Sequence, residues 1–156
     1  MATAVHKISG DFFEDSFTLI GVHSSMEDYA MVYALNLFLK SNFKRSSEDL
    51  DISKDVSFPF FNWKDGVNDR FWTLITNASS LQEENLETTD LFKDVPSYKN
   101  YYLLPEYTTV DYLLKIEHDD EDIEEDILKK LLTIPKVITA YRIDIDTLKS
   151  KNNLIF

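Results

Sequence analysis

Residues 101–117 read YYLLPEYTTVDYLLKIE. The aromatic and apolar run at 101–104 favours an extended strand. Pro105 ends it, because proline has no N–H to give to a ladder. After a short connection over 106–109 the pattern changes. Val110, Tyr112, Leu114 and Ile116 alternate with Asp111, Leu113, Lys115 and Glu117. A period of two predicts a strand with one buried face. The stretch reads as two strands joined by a turn, with Asp111 near the turn and directed away from Val110 and Tyr112.

Two carboxylates, Glu106 and Asp111, flank that turn. One reading is a paired acid and base, or a metal site; a catalytic pair needs surroundings that drive the two pKa values apart. The other is structural, with both carboxylates accepting hydrogen bonds from backbone N–H groups and threonine hydroxyls of the turn.

Residues 104–112, LPEYTTVDY, resemble the motif that names the IPExxxVDY family of small bacterial proteins. Leu104 stands where the motif has isoleucine, a conservative exchange at an apolar position. The chain size and, more loosely, residues 134–156 are also similar to that family. The resemblance implies that Pro105, Glu106, Val110, Asp111 and Tyr112 are signature positions. It implies no activity, substrate or cofactor.

The 156 residues suit one domain over 1–156 with a single sizeable core. A chain 44% hydrophobic and 28% charged is globular in composition. No apolar run approaches the roughly 18 residues of a membrane helix. The N-terminal residues lack the basic segment and apolar core of a signal peptide, so a soluble, cytoplasmic protein is expected. The absence of cysteine removes disulfides, thiolate nucleophiles and cysteine-based metal sites. A formal net charge of −12 opposes binding to nucleic acid or to an anionic membrane, both of which need a basic face. No cofactor is expected.

Outward from the central stretch, residues 17–22 (FTLIGV) read as a first strand. Ser24 and Glu27 fit a capping box that opens a helix running to about Asn42. Tyr29, Val32, Tyr33, Asn36, Leu37 and Lys40 fall on one side of it, while Ala30, Met31, Ala34, Leu35 and Phe38 cover most of the rest. A helix apolar nearly all round needs cover nearly all round. A sheet supplies one side; the other points to a second element or a second copy of the chain. Asn36 reads as a core hydrogen bond.

Residues 43–54 read as a loop, and 56–63 and 68–77 as two strands. Lys64-Asp65-Gly66 between them signals a hairpin, with Asp-Gly tolerating positive φ. Pro59 suggests an edge or a bulge. This pair is rich in rings, and two readings stand: a stacking platform, or core with ordinary cross-strand pairs. Its rings outnumber what one face holds, so Phe60, Trp63 and Trp72 join Tyr33 and Leu37 as candidate interface residues. Residues 78–97 read as a long surface connection in which the Asn77-Ala78-Ser79 sequon carries no weight.

The acidic run 117–126 includes His118 and reads as a weak carboxylate cation site or as a helix start, where acids suit the positive end of the helix dipole. Glu125 with Lys129 and Asp126 with Lys130 add i,i+4 pairs. Ile123, Ile127, Leu128, Leu131 and Leu132 form the buried stripe. His118 reads as a surface residue, and His6 and His23 have no partner at ligand spacing. Pro135 ends the helix, residues 137–145 alternate as a last strand, and the apolar end Leu154, Ile155 and Phe156 docks on the body.

The order predicts an α+β two-layer sandwich, a mostly antiparallel sheet with two helices on one face, close to ferredoxin-like or ACT-like arrangements. The unit from Val110 to Asp146 is a right-handed βαβ crossover. No glycine-rich phosphate loop, G-x-S-x-G or H-E-x-x-H is present. The functional expectation is a non-enzymatic interaction or assembly module, a homodimer or a binder of another protein. The alternatives are an ACT-like small-ligand domain and an enzyme using Glu106 and Asp111.

Overall fold

The computed structural model describes residues 17–53, 55–83, 97–118 and 123–156. In chain order the elements are β1 (Phe17–Ser24), α1 (Asp28–Phe38), β2 (Lys44–Arg45), β3 (Leu50–Ser53), β4 (Val56–Phe58), β5 (Phe60–Asp65), β6 (Arg70–Thr76), β7 (Ala78–Glu83), β8 (Ser97–Tyr102), β9 (Tyr112–Glu117), α2 (Glu124–Leu132) and β10 (Val137–Arg142). The fold is α+β. Six strands form one sheet in the order β10-β1-β9-β6-β5-β2, antiparallel at every pairing. β9 and β10 flank β1 and therefore run parallel to each other, joined through α2. β3–β4 and β7–β8 are separate two-stranded ribbons.

Both faces of the main sheet are buried, which differs from the expected two layers. Ile20, Val22, Trp72, Leu74, Tyr112, Leu114 and Ile116 face the helices, packing with Met31, Ala34 and Leu35 of α1 and with Ile127 and Leu131 of α2. Phe17, Leu19, Ile75 and Leu113 point the other way. They meet Val56 and Phe58 of β4, Leu103 and Leu104 after β8, and Leu148 and Leu154 near the C-terminus. Leu113 is therefore as fully buried as Leu114.

The two halves of the central stretch do not form a hairpin. β8 pairs with β7, whereas β9 lies between β1 and β6 in the main sheet. The turn thus carries the chain from a ribbon into the sheet centre. Residues 78–83 and 97–102, expected as surface connection and first half-strand, make that ribbon; residues 84–96 lie outside the described residues. The expected loop at 43–54 contributes β2 and β3. The strand expected at 56–63 is split at Pro59, whose missing N–H lets the chain leave β3–β4 and enter the main sheet.

Helix boundaries also shift. α1 starts at Asp28 behind Glu27, with no side-chain cap, so the capping box does not form. Ser24 continues β1 instead. α1 ends at Phe38 because Asn36 bonds the following loop: its Oδ1 accepts from Phe43 N and Ser41 Oγ, each at 2.8 Å, and its Nδ2 donates to Phe43 O at 3.3 Å. In the β5–β6 turn the positive φ falls on Asp69, at 53°, and not on Gly66. The buried Asp65 carboxylate organises this turn, accepting from the N–H groups of Val67 and Asn68, both at 3.2 Å, and from Asn68 Nδ2 at 2.8 Å.

In α2, Asp126 pairs with Lys130 at 3.1 Å and Glu124 with Arg142 of β10 at 3.1 Å. Leu132, expected in the buried stripe, is 52% exposed. β10 stops at Arg142, and Asp144 then caps a 3-10 turn by accepting from Asp146 N at 3.0 Å. No helix among the described residues is long and apolar enough to cross a membrane.

Candidate functional site

The turn between β8 and β9 begins as a 3-10 turn, Pro105–Tyr107, whose first position suits the fixed φ of proline. Glu106 then reaches the C-terminal segment. One carboxylate oxygen accepts from the N–H groups of Lys149 and Ser150 at 2.9 and 3.1 Å, the other from Ser150 Oγ at 2.6 Å. The Ser150 hydroxyl, helped by these backbone donors and opposed by slight burial, holds the Glu106 carboxyl below the usual glutamate range.

Asp111 faces a different segment, its Oδ2 accepting from Ser24 N at 2.8 Å. Tyr112 is buried and donates its hydroxyl proton to the Met26 carbonyl. Burial, then the nearby acids Asp28, Asp111 and Glu27, raises the Tyr112 pKa well above the ordinary phenol value and keeps it a donor. Val110 is buried and packs where β1 carries Gly21; a Cβ on Gly21 would stand 3.3 Å from both Val110 methyls and 3.0 Å from Ile143 Cδ1. The turn approaches β1 closely because this position lacks a side chain.

The residue that organises the turn is Asn77, which the sequence reading gives no role. It is fully buried. Its Nδ2 donates to the carbonyls of Tyr107 and Val110 at 2.7 and 3.0 Å, and its Oδ1 accepts from Leu104 N at 2.9 Å. Its backbone bonds Asp111 O and Leu103 N at 3.0 and 2.8 Å. The available signal was parity: Asn77 follows Thr73 and Ile75 on one face of β6, and a polar residue on a buried face needs partners. Lys115 was hidden in the same way by the assumption of a single buried face. Its Nζ donates to Leu154 O at 2.7 Å and lies 4.8 and 4.7 Å from the ring centroids of Phe17 and Phe156.

The signature therefore gathers distant segments, with Glu106 and Asp111 each bound to a different one. An open concavity lies on α1. Tyr29, Tyr33 and Leu37 are 68%, 72% and 62% exposed, at a spacing of four residues that puts them in one row. With Met26, Ala30, Ala34 and Phe38 they face Ile134, Pro135 and Lys136 across a groove of about 640 Å³, lined almost wholly by apolar atoms. The neighbouring Glu27 carboxylate raises the pKa of the exposed Tyr29 hydroxyl.

Of the candidate interface residues, Tyr33 and Leu37 lie on this groove. The hairpin aromatics do not join them. Trp72 is buried; Trp63 packs on Trp72 and Phe43, with ring centroids 5.4 and 6.0 Å away; Phe60 packs on Phe156 at 6.2 Å. Trp63 and Trp72 pack together on the helix-facing side of the sheet, whereas Phe60 packs on the opposite side.

His118 is part-buried, not a surface residue, and its Nε2 lies 2.8 Å from Thr18 Oγ1. His23 bonds the Tyr141 hydroxyl at 3.0 Å. Among the described residues no three acidic or histidine side chains are placed to share a metal ion; residues 119–122 of the acidic run lie outside them. Compared with family models, curated proteins and solved structures, the chain finds no match.

Proposed function

We propose that this chain is a non-enzymatic assembly module, cytoplasmic and of the IPExxxVDY type, and that its partner is a second copy docked through the groove face of α1. One observation carries the reading: a row of two tyrosines and a leucine stands in water on a helix whose opposite side is core. Exposed apolar surface of this kind marks interaction sites. Charge placement favours a second copy as occupant. Glu27 and Asp28 precede the row and Lys40 follows it, all beyond its apolar middle. Two such helices packed antiparallel about a two-fold axis set each acidic end against the other's lysine, with Tyr33 near the axis. Glu106 and Asp111 are engaged as acceptors by separate segments, which speaks against a catalytic pair.

The strand order β10-β1-β9-β6, with α1 and α2 on one face, supports a ferredoxin-like plan to which β2–β5 and β7–β8 are additions. The same order favours an ACT-like ligand domain as the second reading, although a fold alone assigns no function. A thermal-shift screen across amino acids and nucleotides tests that alternative.

Light scattering tests the main reading. The natural chain is expected at twice its 18.2 kDa mass, and Tyr33→Asp with Leu37→Lys at the single mass with its circular dichroism unchanged. A natural chain that stays at the single mass across all concentrations overturns it.

A further inference from the structure

We infer that Asp111 and Tyr112 are positioning residues for the α1 groove, a role that rests on the self-association reading above. The groove has two walls of different origin: α1 with Met26 before it, and the connection between α2 and β10 that carries Lys136. These walls are tied to each other through Ser24, which is 2% exposed. Ser24 Oγ donates to Lys136 O at 2.8 Å and accepts from Met26 N at 3.2 Å. Ser24 is fixed by its own N–H, which donates to Asp111 Oδ2 at 2.8 Å. Tyr112 holds the same wall at the next point, through the Met26 carbonyl.

The arrangement sits at an irregular point of the sheet. The β1–β10 register shifts between His23 and Ser24, so that Ser24 opposes Val137 while His23 opposes Thr139. A bulge re-aims the chain on either side of it. Here the chain leaves the sheet toward α1 on one strand and arrives from α2 on the other. The side-chain bonds from Asp111 and Tyr112 determine how far apart those two departures stand, and hence the width of the groove. Glu106 belongs to the same turn but binds the C-terminal segment, away from the groove. It is therefore the internal control.

The experiment compares Asp111→Asn, Tyr112→Phe and Glu106→Gln in the full chain. Dimer dissociation is measured by sedimentation equilibrium, and amide hydrogen exchange is followed over residues 24–38 and 134–137. Asp111→Asn and Tyr112→Phe are expected to weaken the dimer about tenfold, equivalent to about 1.4 kcal/mol, and to speed exchange at both walls of the groove. Glu106→Gln is expected to leave both readouts at the natural value while lowering the melting temperature. A dimer and an exchange pattern that respond to all three variants alike, or to none, overturn the positioning role and leave self-association standing. A natural chain that is monomeric overturns self-association, and the positioning role with it.

Discussion

The Glu106 carboxylate holds Ser150 by both its backbone N–H and its hydroxyl, 44 residues along the chain. The contact ties the central turn to the segment that covers one face of the sheet. It also makes that segment sensitive to acid. The folded chain holds the Glu106 pKa below its ordinary value of about 4.3. The unfolded chain therefore takes up the proton first as pH falls. The contribution is fully present above that ordinary value and is lost as pH drops through the lower, folded one. Thermal melts of the natural chain and Glu106→Gln at a series of pH values check this: the gap present at neutral pH closes in acid.

Asn77→Ala is expected to cost far more. It strips the buried Leu104 N–H and Val110 carbonyl of their side-chain partner, a loss of about 3 kcal/mol. Asn77→Asp is expected to be worse at neutral pH, since a carboxylate would face the Tyr107 and Val110 carbonyls. Burial raises the pKa of such a group, so this variant regains stability as pH falls. Urea unfolding at neutral and acid pH distinguishes the two.

Gly21→Val is expected to destabilise by about 2 kcal/mol, because the added methyls enter space held by Val110 and Ile143. Gly21→Ala costs less, since its nearest neighbour is the flexible end of Ile143. Combining Gly21→Ala with Ile143→Val is expected to recover part of that cost. A double-mutant cycle by denaturant unfolding reads the coupling.

Leu154→Ala removes a side chain that is 1% exposed beneath the C-terminal segment and is expected to cost about 3 kcal/mol. Ile155→Ala, at a neighbour 57% exposed, is expected to stay within about 0.5 kcal/mol. Equal melting temperatures for the two would contradict the docked position of the segment.

Local pattern carried much of the architecture. The alternation from Tyr112 to Glu117 marks β9 because side chains on a strand point to opposite faces in turn, whereas Val110, expected on the same face as Tyr112, precedes the strand and packs on the other side of the sheet. The stripe with Ile127 and Leu131 marks α2 because a helix returns to the same face every three to four residues. What pattern missed followed from one assumption, a single buried sheet face. Leu113, Lys115 and Asn77 gain their buried places, and Phe60 its packing on Phe156, because the covering layer comes from distant segments; Trp63 and Trp72 pack instead on the helix-facing side with Phe43.

The sequence by itself determined the class of the fold, the main strands and helices of the sheet, and an α1 with too much apolar surface for one neighbour. Each is encoded within a few consecutive residues. Only the tertiary structure decided that β8 and β9 part company at Pro105. The same holds for Glu106 and Asp111, which reach opposite ends of the chain, and for Tyr29, Tyr33 and Leu37, the part of α1 left in water. Those outcomes depend on which remote backbone N–H or side chain arrives at each position, and local periodicity holds no record of it.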